Sequence, residues 1–147
     1  MNVPYFVFAL AAGMMLPFQF GINAQLAHWV GGPVCASLVS FAVGTVALLA
    51  LTLAFYRGWP GGDQVGGAPW WVWVGGLLGA FYVVGSVVTA PRLGAATLVA
   101  LILAGQAIAS LLVDHFGWVG FPEHAVTPGR LAGVLLVASG VALVRFT

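Results

Sequence analysis

Residues 94–116 read Gly-Ala-Ala-Thr-Leu-Val-Ala-Leu-Ile-Leu-Ala-Gly-Gln-Ala-Ile-Ala-Ser-Leu-Leu-Val-Asp-His-Phe, and the first charge in that run is Asp114. A hydrocarbon core about 30 Å thick takes roughly 20 apolar residues of helix, because backbone groups that cannot reach water must bond within the segment. This run has that length and that composition. Four more like it make up most of the chain, giving spans at about 4–27, 34–57, 70–90, 94–116 and 128–146. The breaks fall at turn formers: Gly31-Gly32-Pro33, then Trp59-Pro60-Gly61-Gly62-Asp63 through Pro69, then Pro91, then Pro122 through Pro128. The expected fold is all-α, a polytopic membrane protein whose five transmembrane helices form a single domain over residues 1–147.

Composition leaves little alternative. Only 5% of the 147 residues are charged and 62% are hydrophobic, against roughly 25% charged in a soluble domain. Five buried helices in water would have nothing polar to cover them, so the solvent is lipid. Lysine is absent, and Arg57, Arg92, Arg130 and Arg145 face Asp63, Asp114 and Glu123. That thin balance offers no basic face for nucleic acid. Cys35 is the only cysteine, which excludes an intramolecular disulfide and zinc-type spacing. The Met-Asn-Val-Pro-Tyr-Phe start lacks a basic n-region and runs into too long an apolar stretch for a signal peptide, so it is expected to open the first permanent span. Trp29, Trp59, Trp70, Trp71, Trp73 and Trp118 cluster near span ends, where indole rings anchor at the lipid–water interface.

Five spans put the termini on opposite sides. With the N-terminal side named A and the other B, side A receives Arg57 and Arg130 and side B receives Arg92 and Arg145. Loop arginines normally set orientation, and here the count is two against two. The expectation is insertion in both directions and an antiparallel copy of the chain as partner, the two-chain counterpart of an inverted repeat.

The polar residues within spans are few and patterned. Gln19 and Asn23 are four apart on one face of the first span, beyond Pro17, which removes a backbone hydrogen bond and bends the helix. They suit a binding wall or gating element, or equally the hydrogen bonds that join helices in a bilayer. Gln106 lies near the middle of the fourth span. Ser110 and Asp114 follow at four-residue steps, with His115 next, as a stripe running to side A. Two antiparallel copies of Gln106 would bracket the midplane, where transporter sites concentrate; Asp114 is a coupling candidate or a helix-end carboxylate reaching for the interface. Gly75, Gly79, Tyr82, Ser86 and Thr89 share a face of the third span, as do Ser37, Ser40 and Gly44 of the second. Such faces foremost let helices approach closely, with Tyr82 and Ser86 as further candidate substrate contacts. Gly129 and Gly133 form a GxxxG pair in the fifth. No ionisable residue lies deep in a span, which disfavours a proton relay or cation site built on a buried carboxylate. No nucleophile–base pair, P-loop, metal cluster or cofactor pattern appears, so an enzyme is not expected.

Several segments together resemble one family. They are the Gln19/Asn23 run, Val39-Ser40-Phe41 with Gly44, the stretch from Gly75 to Val83, Leu93-Gly94-Ala95-Ala96, Ala104-Gly105-Gln106 and Asp114-His115-Phe116-Gly117. The chain is similar in this order to the YdcZ-like group of bacterial inner-membrane proteins, within the drug/metabolite transporter superfamily. The resemblance implies a five-helix half of a ten-helix inverted-repeat transporter in the bacterial inner membrane. It supplies no substrate. The deep first-span glutamate of the small multidrug resistance relatives is missing here, which disfavours a polyaromatic cation. The leading expectation is a dual-topology half-transporter whose antiparallel homodimer moves a small neutral or polar metabolite. A small dual-topology ion channel and a non-transporting scaffold subunit are the alternatives.

Overall fold

In the computed structural model the regular elements among the described residues are helices. The structure describes residues 3–55, 58 and 62–146, apart from the side chains of residues 63 and 64. Arg57, Trp59, Pro60 and Gly61, placed by the sequence at the end of the second span and in the turn after it, lie outside the described residues.

The elements are α1 (Val3–Trp29), α2 (Pro33–Phe55), a short α3 (Gly62–Gly66), a 3₁₀ segment (Trp70–Val74) leading into α4 (Gly75–Leu93), α5 (Ala95–Phe116), a 3₁₀ turn (Trp118–Gly120) and α6 (Pro128–Phe146). Five of these are long and apolar enough to cross a membrane, the third counted as Trp70–Leu93. They match the expected spans to within a few residues. The largest difference lies at Pro91, where a break was expected but α4 continues to Leu93. A proline this close to a helix C-terminus forfeits one hydrogen bond and leaves almost no helix beyond it to disturb. The chain turns instead at Gly94, whose φ of 74° and ψ of 162° suit glycine almost alone.

The chain folds as two compact units, Met1–Pro91 and Arg92–Thr147. In the first, the turn between α1 and α2 is closed by Gly32 N–H donating to the Ala27 carbonyl at 2.9 Å, with Gly31 at φ 86°. That is the six-to-one bond of a helix ending on a left-handed glycine, and Pro33 then starts α2 where a missing N–H costs nothing. Ala36, Val83 and Val87 form the buried cluster of this unit, with Leu26, Ala27, Val30 and Tyr82 against it. Ala36 is fully buried, as expected where small side chains set the approach of helices in lipid. On α4, Gly79 lies under the Phe41 ring, 3.5 Å from where a Cβ would stand.

The second unit is the α5–α6 pair. The α5 helix ends on Gly117, left-handed at φ 61°, with its N–H donating to the Val113 carbonyl. A Cβ at Gly117 would stand 2.7 Å from Glu123 Cγ. Gly120 has a similar backbone at φ 88° but open space around it. Gly117→Ala should therefore destabilise this unit by about 1–3 kcal/mol, and Gly120→Ala by less. Thermal unfolding in detergent checks the order; equal losses would mean that the Glu123 contact is irrelevant.

Candidate functional site

The first unit contains an open cleft of about 240 Å³ between α1, α2 and α4. Gln19 contributes from α1 and Val83 from α4. Ser40, Phe41, Gly44, Thr45 and Leu48 form the α2 wall. At 1.5 Å per residue, Gln19 lies roughly 15 Å from the Trp29 end of α1, and Val83 roughly 15 Å from the Leu93 end of α4. Both ends are on side B, so in a core about 30 Å thick the cleft sits at mid-depth. No ionisable side chain lines it.

One turn from Gln19, Asn23 is 3% exposed, and its Nδ2 has no hydrogen-bond partner. The Tyr82 hydroxyl is likewise buried and unpartnered. Phe20, three residues before Asn23 on α1, meets the Tyr82 ring edge-on with centroids 6.0 Å apart. Ser86 is buried too, but its hydroxyl donates to the Val83 carbonyl at 2.8 Å. Buried polar groups are nearly always paired, and these two are the exceptions among the described residues. Pro17 lies inside α1 two residues before Gln19.

Gln106, Ser110 and Asp114 all belong to α5, in the second unit. Gln106 is exposed at the middle of that helix, without a hydrogen-bond partner among the described residues. Ser110 is exposed with its hydroxyl on the Ala107 carbonyl at 3.0 Å. Asp114 has a partner on the next span: Arg130 Nη2 donates to its Oδ2 at 2.7 Å. Arg130 Nη1 also donates to the His124 carbonyl, while the His124 N–H donates to the Asp114 carbonyl. The Nδ1–H of His124 donates to the Pro122 carbonyl at 2.9 Å, and Thr127 caps α6 by accepting from the Arg130 N–H. An ion pair this exposed contributes roughly 0–1 kcal/mol. Its effect is to fix the loop's shape.

Sequence reasoning singled out Gln19 and read Ser40 and Gly44 foremost as a packing face. It missed Thr45, although Ser40, Gly44, Thr45 and Leu48 recur on one helical face. It also missed Arg130 as the partner of Asp114; opposite charges at the side A ends of consecutive spans were the available signal. Among the described residues no group of His, Cys, Asp or Glu could hold a metal ion.

The family described as "Putative inner membrane exporter, YdcZ" matches residues 4–143. The chain belongs to the YdcZ family. Inner membrane protein YdcZ of Escherichia coli (strain K12) is 33% identical to it over 138 residues, covering 93% of this chain and 91% of that relative. No solved structure matches the chain. With its five spans, this YdcZ family member is a multi-pass inner membrane protein of an exporter family.

Proposed function

We propose that the chain is half of an exporter, working as an antiparallel homodimer of dual-topology copies that moves a small neutral or polar metabolite rather than catalysing a reaction. Residues 1–147 act as one five-helix transport domain, and two copies imitate a ten-helix protein with inverted repeats. The observation that carries this reading is the mid-depth cleft with Gln19 on its wall and no charge in its lining. A polar wall left open to lipid is costly, so a second copy that covers it and a solute that enters it both relieve that cost. Gln106, exposed near the middle of α5, makes the same demand. Roughly 15 Å separates it from either end of the helix, so inverting the chain leaves it at the same depth.

Transport in this scheme relies on amides from both chains at the midplane. Gln106→Leu removes that donor and acceptor with little change of volume, and transport should fall about ten- to hundredfold. The dimer fraction is measured beside the rate. A weaker dimer whose remaining pairs transport normally would make Gln106 an assembly residue only. Orientation within the pair is read by cross-linking single cysteines at Trp29 (side B) and Trp118 (side A), both exposed, in a Cys35→Ser background. Antiparallel pairs join 29 to 118; pairs that join only 29 to 29 and 118 to 118 would refute the arrangement.

A further inference from the structure

Hydroxyls in an apolar helix ordinarily donate to a carbonyl of the preceding turn, since lipid offers no other acceptor. In the first unit Ser37, Thr52, Ser86 and Thr89 all do so at 2.7–2.8 Å. Ser40 and Thr45 do not, and they are the two hydroxyl residues that line the cleft. The Gln19 amide on the facing wall has no partner either. Three uncommitted hydrogen-bonding groups thus converge on one mid-membrane space, with the orphan donors of Asn23 and Tyr82 in the same unit. Phe41, Leu48 and Val83 supply the apolar remainder of the wall.

We infer that Gln19, Ser40 and Thr45 form a solute-binding fork selective for small, uncharged molecules with hydrogen-bond donors and acceptors along one edge, such as hydroxy-amides and polyols. The uncommitted groups both donate and accept: two amide N–H and two hydroxyl protons stand beside the amide oxygen and two hydroxyl oxygens. Their complement is a solute edge that offers both hydroxyl or amide protons and acceptor oxygens. A charged solute would enter a low-dielectric space without a counter-ion, at a cost that neutral hydrogen bonds do not offset. Size sharpens the choice. The volume of about 240 Å³ falls below the roughly 300–1,000 Å³ typical of sites for drug-sized ligands, so the occupant is metabolite-sized. The inference rests on the transport reading for its purpose but not for its evidence.

The test is equilibrium binding of radiolabelled lactamide, lactate and alaninamide, near-isosteres that are neutral, anionic and cationic, with xylitol as a second neutral probe. The protein is the full chain in nanodiscs. Lactamide and xylitol should bind saturably, and the two charged probes at least about tenfold more weakly. Ser40→Ala combined with Thr45→Val should weaken both neutral probes about tenfold or more, counted per folded dimer from the dimer fraction and unfolding temperature measured alongside. Binding of neither neutral probe, preference for a charged one, or equal binding by the double variant would overturn the inference. Displacement of the probes by added phospholipid, with no effect of the double variant, would assign the cleft to an acyl chain and overturn it as well. The cross-linking above fails or succeeds independently, so loss of the antiparallel reading and loss of the fork are told apart.

Discussion

Asn23→Leu is expected to yield a protein that unfolds later and transports less. The Asn23 Nδ2 is buried without a partner, so the folded chain carries a desolvated donor that earns no bond. Replacing it with an apolar side chain of similar reach removes that penalty, about 1–3 kcal/mol. Stability in detergent, followed by thermal or denaturant unfolding, should rise by an amount in that range. Transport should fall about ten- to hundredfold if the amide serves the solute as proposed, because Gln19 and Asn23 share a helix face. Such an opposition of stability and activity is common where a site holds strained or unpaired groups. A destabilised variant would show that the amide has a partner after all. A stabilised variant with full transport would remove Asn23 from the solute's path.

Loading side B with arginine should leave nearly all chains in one orientation and, under the dual-topology proposal, silence transport with it. Gly31 and Gly32 hold φ of 86° and 129° and accept no side chain without strain, so the turn itself is a poor place for the change. His28 and Trp29 are exposed in the last turn of α1, where a cation also complements the helix dipole. His28→Arg with Trp29→Arg raises side B from two arginines to four, against two on side A. C-terminal reporters on the wild-type chain should divide roughly evenly between the two sides of the membrane. On the double variant nearly all chains should place side B in the cytoplasm. Antiparallel pairs cannot outnumber the minority orientation, so transport should drop in proportion to that minority. A wild-type chain oriented almost wholly one way would end the dual-topology proposal, as would full transport by the uniform variant.

The spans were legible because membrane insertion depends on local hydrophobicity, which a window of about 20 residues captures. Where the reading slipped, at Pro91, it treated proline as a stop; the backbone turned at Gly94, where left-handed φ was needed. The site was harder to read, for a reason particular to lipid. In water, hydrophobic periodicity separates the inside of a helix from its outside. In a bilayer both faces are apolar, so the pattern around Thr45 looks like that around Thr52. What distinguishes them is whether the hydroxyl turns back on its own helix, and neighbouring helices decide that. Gln19 and Asn23 stood out because amides are rare in such company. The bond between Asp114 and Arg130 joins residues sixteen apart on different spans, and only the folded loop brings them together.

The length of α1 carries a last consequence. Its 27 residues extend roughly 40 Å, whereas the 19 of α6 extend roughly 28 Å. No single hydrocarbon thickness matches both helices standing upright. The longer one must lean, bend at Pro17 or leave turns among the headgroups. The same helix carries Gln19, so the cleft wall lies on the element with the largest mismatch to accommodate. A change of membrane thickness, set by acyl-chain length, is therefore felt differently by α1 and by α6.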